Sequence, residues 1–264
     1  MRSELVVLKL GGSVITEKNK PLTPNLQAIR RLSGEIAQAN VTSLVLVHGG
    51  GSYGHPIASA HRISLGFKDR TQIVGFSRTH EAMVSLNTLL VGNFLDQGLP
   101  ALGMAPSSFI VTKNGRIHFF ADEPLKQAIN TGLVPVLYGD AMLDVDQGFS
   151  ILSGDQISSF LAVRLDADRL IMGVDVDGVF DADPKRDPTA RLMPHLKLDK
   201  LEEVKAKIQG TRTPDVTGGM WGKILELKTP VAKGVQTTIL NALKPGVTLK
   251  ALRGEEVVGT KIEI

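Results

Sequence analysis

The chain has 264 residues, 42% of them hydrophobic, no cysteine, and 30 Lys+Arg against 27 Asp+Glu for a net charge of +3. That length and apolar content suit one large α/β domain or two joined lobes. Absence of cysteine excludes disulfides, zinc–thiolate sites and thiol catalysis, while a small charge excess without a Lys/Arg block argues against a nucleic-acid partner. Met1 leads straight into a strand-like segment, and no apolar run is long enough for a bilayer, so a cytoplasmic protein without membrane contact is expected.

Leu5 to Leu10 is apolar, partly β-branched and stopped by Gly11-Gly12, the pattern of a buried strand. Pro24 to Ala39 repeats apolar residues at helical spacing, and Ser43 to Val47 forms a second apolar strand ending at His48. Strand, helix, strand is the βαβ signature of a parallel sheet. The spacing then predicts a long helix over Thr71 to Leu95, and short strands at Ala101–Met104, Ile117–Phe120, Val134–Tyr138 and Ala141–Leu143. A helix is expected at Glu123–Asn130 and a hairpin turn at Asp144–Gly148. The alternation resumes with helix Asp155–Leu165, strand Arg169–Val174, helices Leu198–Ile208 and Trp221–Lys233, strand Thr237–Asn241, and a terminal strand pair punctuated by Gly254 and Gly259. No repeat or linker divides the chain, which reads as two lobes, 1–170 and 171–264, sharing one continuous sheet.

Three segments place glycines or a cation where a strand ends or a helix begins: Lys9-Leu10-Gly11-Gly12-Ser13, His48-Gly49-Gly50-Gly51-Ser52-Tyr53-Gly54-His55, and Thr217-Gly218-Gly219-Met220-Trp221-Gly222-Lys223. Unpaired backbone N–H groups and the helix dipole favour anions at such junctions, so the three together point to phosphoryl transfer. Gly49, Gly51 and Gly54 also match a dinucleotide-binding turn, but Arg62 to Arg70 lacks the strand that fingerprint needs before an acidic residue. Lys9 ends a buried strand, where an ammonium requires an anion, either a structural carboxylate or a ligand. Asp155 could cap a helix or serve a ligand. Asp175 and Asp177 stand at the carboxyl end of a strand, the ligand edge of open α/β sheets, without the spacing of a calcium or zinc site. His61, His80, His118 and His195 have no comparable context and read as ordinary surface or core residues.

These segments, with Tyr138-Gly139-Asp140, Ile151-Leu152-Ser153-Gly154-Asp155-Gln156, Asp175-Val176-Asp177-Gly178-Val179 and Asp215-Val216-Thr217-Gly218-Gly219-Met220, carry a resemblance that runs nearly end to end. The chain resembles the amino acid kinase superfamily, and within it the isopentenyl phosphate kinases of archaeal type; the Gly54-His55-Pro56 step separates it from uridylate kinases. The resemblance implies a three-layer αβα sandwich around a mostly parallel open central sheet. It implies an acceptor-binding and dimerising N-terminal lobe, an ATP-binding C-terminal lobe, a homodimer, and ATP with Mg²⁺ as cosubstrate and cofactor. Lys9, Lys18 and Lys223 would meet the ATP phosphates, with Lys20 as the alternative to Lys18, Asp155 would orient those lysines, and His55 would meet the acceptor phosphate of isopentenyl phosphate. Gly11, Gly12, Ser13, Gly218 and Gly219 would complete the ATP phosphate site, with Asp175, Phe180, Asp181 and Pro184 near the nucleoside. Gly50, Gly51, Gly54 and Gly154 would border the acceptor, and Ile73, Phe76, Met83 and Ile151 would line its apolar tail, though plain core packing explains any one of these four equally well. No residue is assigned as a metal ligand. A fosfomycin-type kinase and a nucleotide-sensing protein without chemistry are the alternatives.

Overall fold

A computed structural model describes residues 3–201 and 214–264. Its main sheet has eight strands in the order β10-β12-β11-β9-β1-β2-β6-β3. These are β1 (Leu5–Leu10), β2 (Ser43–His48), β3 (Ala101–Gly103), β6 (Val134–Tyr138), β9 (Arg169–Val174), β10 (His195–Lys197), β11 (Gln236–Asn241) and β12 (Gly259–Glu263). Strand β1 lies at the centre, parallel to β2 and β9, and every one of its residues is buried. The β11–β12 pair is antiparallel and the other neighbours in this sheet are parallel.

Period-two alternation divides β1 between two cores. Val6, Leu8 and Leu10 face helices α2 (Leu26–Ala39), α4 (Gln72–Asp96) and α8 (Val247–Leu252), through Ile29, Leu32, Leu86, Leu90 and Leu252. Leu5 and Val7 face α5 (Glu123–Asn130), α6 (Gly154–Arg164) and α7 (Pro214–Ala232), through Leu125, Ile157, Leu161, Ile224 and Leu227. This is the expected helix–sheet–helix sandwich. Lys9 shares the parity of Leu5 and Val7 and is thereby aimed at the α6 side.

The β1–α2–β2 unit forms as the spacing predicts, with the Asn25 side chain accepting from Ala28 N at 3.1 Å to cap α2 and Asn40 in the left-handed region closing it. Three expectations need correction. In the glycine-rich segment after β2, where no helix is expected, Gly51–Ala60 forms helix α3, which carries Pro56 inside it. The end of the chain has a single strand, β12, preceded by helix α8, in place of a strand pair. The helix expected from Trp221 begins earlier, at Pro214, so Thr217, Gly218 and Gly219 lie within its first turns. The predicted Leu198–Ile208 helix is described as far as a 3₁₀ turn at Leu198–Lys200, and its remainder beyond Leu201 lies outside the described residues.

The chain also builds a second sheet that the expectation of one continuous sheet did not include, with strands β4 (Ile110–Lys113), β5 (Arg116–Phe120), β7 (Asp140–Asp144) and β8 (Gly148–Leu152) in the order β5-β4-β7-β8. Its two hairpins are tied together by the buried Asp144, which accepts from Asn114 N at 3.1 Å, Gly115 N at 2.8 Å, Asp146 N at 3.1 Å and Gln147 N at 2.9 Å. Burial alone would raise the Asp144 pKa, but the N–H donors of Gly115 and Gln147 hold it down to about 2. This sheet stands against α4 and α6 at the carboxyl edge of the main sheet and walls one side of the site.

Candidate active site

Backbone hydrogen bonds continue beyond the carboxyl ends of four neighbouring strands. Gly11 N donates to Gly173 O at 2.8 Å, Gly49 N to Leu10 O at 3.0 Å, and Gly139 N to His48 O at 3.0 Å. The loops after β9, β1, β2 and β6 are therefore locked edge to edge. Side chains have no room in this seam: a Cβ on Gly12 would lie 2.2 Å from Gly51 N, and one on Gly51, whose φ is +48°, would lie 2.1 Å from Thr16 Oγ1. Thr16 holds the loops together by donating to Gly12 O at 2.8 Å and accepting from Ser52 N at 3.0 Å. Gly50 caps α3 without a side-chain hydrogen bond. Ser52 N is taken by Thr16, and Tyr53 N and Gly54 N donate to Gly50 O, so at this helix start the N–H groups of Gly50 and Gly51 are the ones left for a ligand.

Over this floor two lysines meet one carboxylate. Lys9 Nζ lies 2.6 Å from Asp155 Oδ1, and Lys223 Nζ lies 2.9 Å from Asp155 Oδ2. The capping alternative for Asp155 falls to its neighbour, because the Ser153 side chain accepts from Gln156 N at 3.1 Å and caps α6. Asp155, in the first helical turn, is left to the cations. Burial would raise its pKa, but Lys9 and Lys223 hold it at about 2. Lys9 is 3% exposed; burial lowers its pKa, Asp155 opposes that, and Lys223 adds to the lowering. The cluster keeps an excess positive charge, which suits an anionic ligand.

His55 stands on α3 at the solvent-open side of this cluster. Partial desolvation, then the charges of Lys223 and Lys9, lower its pKa below 6.5, with Asp155 opposing them. Its surroundings therefore favour the neutral ring, with the two lysines as the dominant charges. Groups from β1, α3, α6 and α7 thus act on one another across a single cleft. Lys18 does not join them: it lies with Lys20 on the exposed turn after Thr16 and makes no ion pair among the described residues.

On the β9 side, Asp175 faces Lys9 electrostatically and is hydrogen-bonded by Lys185 and Ser13. Phe180 pairs with Leu192, and Asp181 Oδ1 accepts from Arg191 N at 2.7 Å, which builds a half-buried loop that includes Pro184. A Cβ on Gly219 would meet nothing within 4 Å, so packing does not demand glycine there; Gly218 is described by its place in α7 alone.

On the α3 side, the buried Met83 lays its Sδ against Gly50 and Gly54, where added Cβ atoms would sit 3.1 and 2.7 Å away. Phe76 stacks on Phe149 at 4.4 Å, and both join Ile151 in a small cluster with Ala58, Ile63 and Ala141. Ile73 departs from this group: it sits one turn earlier on α4 and is 46% exposed. Gly154 lies close under His48, since its Cβ would be 2.8 Å from His48 O.

Two histidines matter more than the sequence suggested. His80, between Phe76 and Met83 on α4, places Nδ1 2.7 Å from Asp140 Oδ2, and burial pushes that carboxyl up to about 6 against the pull of His80. His48 stacks on Tyr138 with ring centres 5.4 Å apart; burial lowers its pKa to about 4, so it is a neutral structural ring under the seam. No local sequence feature announces the His80–Asp140 pair, whose members are 60 positions apart.

Residues 4–241 match the model of the amino acid kinase family. The chain is 42% identical over 267 aligned positions to an isopentenyl phosphate kinase of Methanothermobacter thermautotrophicus, covering 98% of both chains. Among solved structures it is similar to one described as isopentenyl phosphate kinase, with a TM-score of 0.86, 38% identity and coverage of 98% of this chain and 100% of the other. A second, described as an isopentenyl phosphate kinase substrate complex, has a TM-score of 0.80 and 28% identity over 98% of this chain and 100% of that one.

Proposed function

This chain belongs to the amino acid kinase family, and on that premise we propose that it is an isopentenyl phosphate kinase, moving the γ-phosphoryl group of ATP onto isopentenyl phosphate to give the diphosphate and ADP. Full-length similarity to enzymes of that name supports the substrate. The observation that carries the chemistry is the Lys9–Asp155–Lys223 cluster lying beside His55 over a side-chain-free seam.

The acceptor supplies its own nucleophile. A phosphate monoester has its second pKa near 6, so much of it is ionised at neutral pH and no general base is needed. The barrier is repulsion between two polyanions, which fixed cations and oriented N–H groups lower by positioning and charge neutralisation. Lys9 and Lys223 are held ready by Asp155 to take the transferring phosphate. Glycine N–H groups of the α3 first turn and His55 take the acceptor phosphate. Lys18, on its exposed turn, would have to swing in with the nucleotide to contribute. Asp175, Phe180, Asp181 and Pro184 line the side assigned to the nucleoside.

Magnesium fits this donor set as a passenger on the nucleotide. Mg²⁺ is commonly bound by one or two carboxylates with substrate phosphates and waters; among the described residues no group of three or more His, Asp or Glu forms a cage. Asp175, which interacts with Lys9 where the nucleoside side meets the ion cluster, and the Ser13 hydroxyl bonded to it would be the oxygen donors nearest the phosphates. When bound, the ion would neutralise charge on the β- and γ-phosphates. A cytoplasmic homodimer completes the reading; the exposed Val84 and Leu95 on one flank of α4 support an interface there, and light scattering would test it. Among the described residues no helix is long and apolar enough to cross a membrane.

The isopentenyl tail, with no polar atoms, needs the apolar wall of Phe76, Ile151 and Met83. Phe76→Ala should shift the kcat/KM ratio toward longer prenyl phosphates by roughly 10-fold, the scale of a pocket contact worth 1–3 kcal/mol. An unchanged ratio would move the tail elsewhere. The function itself is tested by coupled ADP release with Mg-ATP against a panel of isopentenyl phosphate, fosfomycin, uridine monophosphate and small carboxylates. Highest kcat/KM on isopentenyl phosphate is expected; preference for fosfomycin or a carboxylate, or no ADP with any acceptor, would overturn the assignment.

A further inference from the structure

The hairpin β4–β5 touches both helices that hold the central ion cluster. Arg116, the first residue of β5, donates to Glu226 through Nη1 at 2.5 Å and Nη2 at 2.9 Å, a two-pronged bond across 110 positions of chain. Its Nε and Nη1 also face Gln156 Oε1, at 2.8 and 3.0 Å with the amide oriented to satisfy its neighbours, while Gln156 Nε2 donates to Gly115 O at 3.2 Å. Gln156 directly follows Asp155. Glu226 lies three positions after Lys223, on the same flank of α7, because residues three apart on a helix are neighbours. One guanidinium therefore holds the residue beside the cluster's carboxylate and the residue one turn from its second lysine.

We propose that Arg116 is a positioning residue for phosphoryl transfer: it latches α7 to α6 and so fixes Lys223 against Asp155 in the geometry that receives the nucleotide phosphates. This rests on the kinase reading of the site. The apolar contacts of Ile224 and Leu227 set which face of α7 meets the core, but such packing tolerates small rotations and slides. Lys223 hangs on a long flexible stem, so a small roll of the helix moves its ammonium appreciably. A guanidinium fork matches a carboxylate in plane and direction as well as in charge, which a lysine does not. The Arg116 side chain is 63% exposed, and exposed ion pairs contribute little to stability. Its effect should therefore appear in nucleotide affinity and not in melting. The hairpin has its own support on α6, where Phe120 meets Phe160 edge-on at 5.2 Å, so loss of Arg116 leaves the strand docked.

The test compares wild type with Arg116→Ala, Arg116→Lys, Glu226→Ala and the Arg116→Ala/Glu226→Ala double variant, with Lys223→Ala alongside. Binding of a non-hydrolysable ATP analogue is read by calorimetry, KM is measured for both substrates, and Tm is recorded. Arg116→Ala and Glu226→Ala should each weaken nucleotide binding by about 5- to 10-fold, and the double variant by no more than either single, because both remove the same constraint. Arg116→Lys should recover little, the KM for isopentenyl phosphate should stay within about twofold, and Tm should move by no more than about 2 °C. Losses that add in the double variant, equal losses for both substrates, or a Tm drop that accounts for them would overturn the latch. If Lys223→Ala leaves nucleotide binding intact, the kinase reading of the cluster fails and the latch with it; if Lys223→Ala weakens binding while Arg116→Ala does not, the latch alone fails.

Discussion

Replacing His55 by alanine is expected to lower kcat by about 100- to 1000-fold, the usual effect of losing one preorganised donor to charge that develops in a transition state. ATP binding should be nearly unchanged, since Lys9, Asp155, Lys223 and the glycine seam remain. Desolvation, with Lys223 and Lys9 as the dominant charged neighbours, lowers the His55 pKa and favours the neutral ring, so on the proposed reading it would meet the acceptor phosphate as an N–H donor. Bound phosphates would oppose the lysine charges and so favour the protonated ring. His55→Gln, which keeps a donor and cannot charge, should therefore fall between wild type and alanine, whereas a His55→Ala enzyme of unimpaired turnover would remove the residue from the mechanism. Single-turnover rates at saturating nucleotide separate these outcomes from changes in affinity.

Asp155→Asn should be the most damaging change to nucleotide binding. The carboxylate is ionised at every physiological pH, with its pKa at about 2, and it is the anion within ion-pair distance of both Lys9 and Lys223. Its asparagine isostere leaves two ammonium groups facing each other across a neutral amide, with Lys9 buried. Removing one partner of a buried pair typically costs 3–5 kcal/mol, which for a chain of this size is a fall in Tm of roughly 6–20 °C. Lys9 would then shed its proton more readily, and nucleotide affinity should drop by at least about 100-fold as its charge is lost. The pH behaviour has a definite sign: the depressed pKa stabilises the fold above the unfolded-state value near 3.8, and that contribution disappears as pH falls toward 2. Acid titration of wild type and Asp155→Asn by circular dichroism should converge there. Equal nucleotide affinity in the two proteins would show that the carboxylate does not organise the lysines.

The parts of the fold that were legible were those whose local pattern and tertiary role agree. The β1–α2–β2 unit and α4 carry strong apolar patterns. Helix α3 was hidden because Gly51, Gly54 and Pro56 are poor helix formers; Gly51 is required by its positive φ and its close approach to Thr16 and the Gly12 backbone, while Gly54 lies against the Met83 side chain. Helix α8 and strand β4 are too short to display a period, and β4 is placed by its hairpin to β5 across Asn114-Gly115 and by a pairing with β7 distant in sequence. In the candidate site, sequence pointed to positions where close backbone approach demands glycine or a buried lysine demands an anion, and the structure places Gly12 and Gly51 in the tight seam and Lys9 against Asp155. What could not be read were pairings between distant positions. Arg116 and Glu226 look like ordinary surface charges, His80 like an ordinary helix residue, and nothing in a linear pattern shows that Lys18 lies on an exposed turn while Ser153, not Asp155, caps α6.

Direct transfer between two bound phosphates has a stereochemical signature. With ATP made chiral at the γ-phosphorus by oxygen isotopes, one in-line displacement inverts configuration at the transferred phosphorus, and inversion in the diphosphate product is what this account predicts. Retention would mean two displacements through a phosphorylated side chain such as His55, and would contradict it.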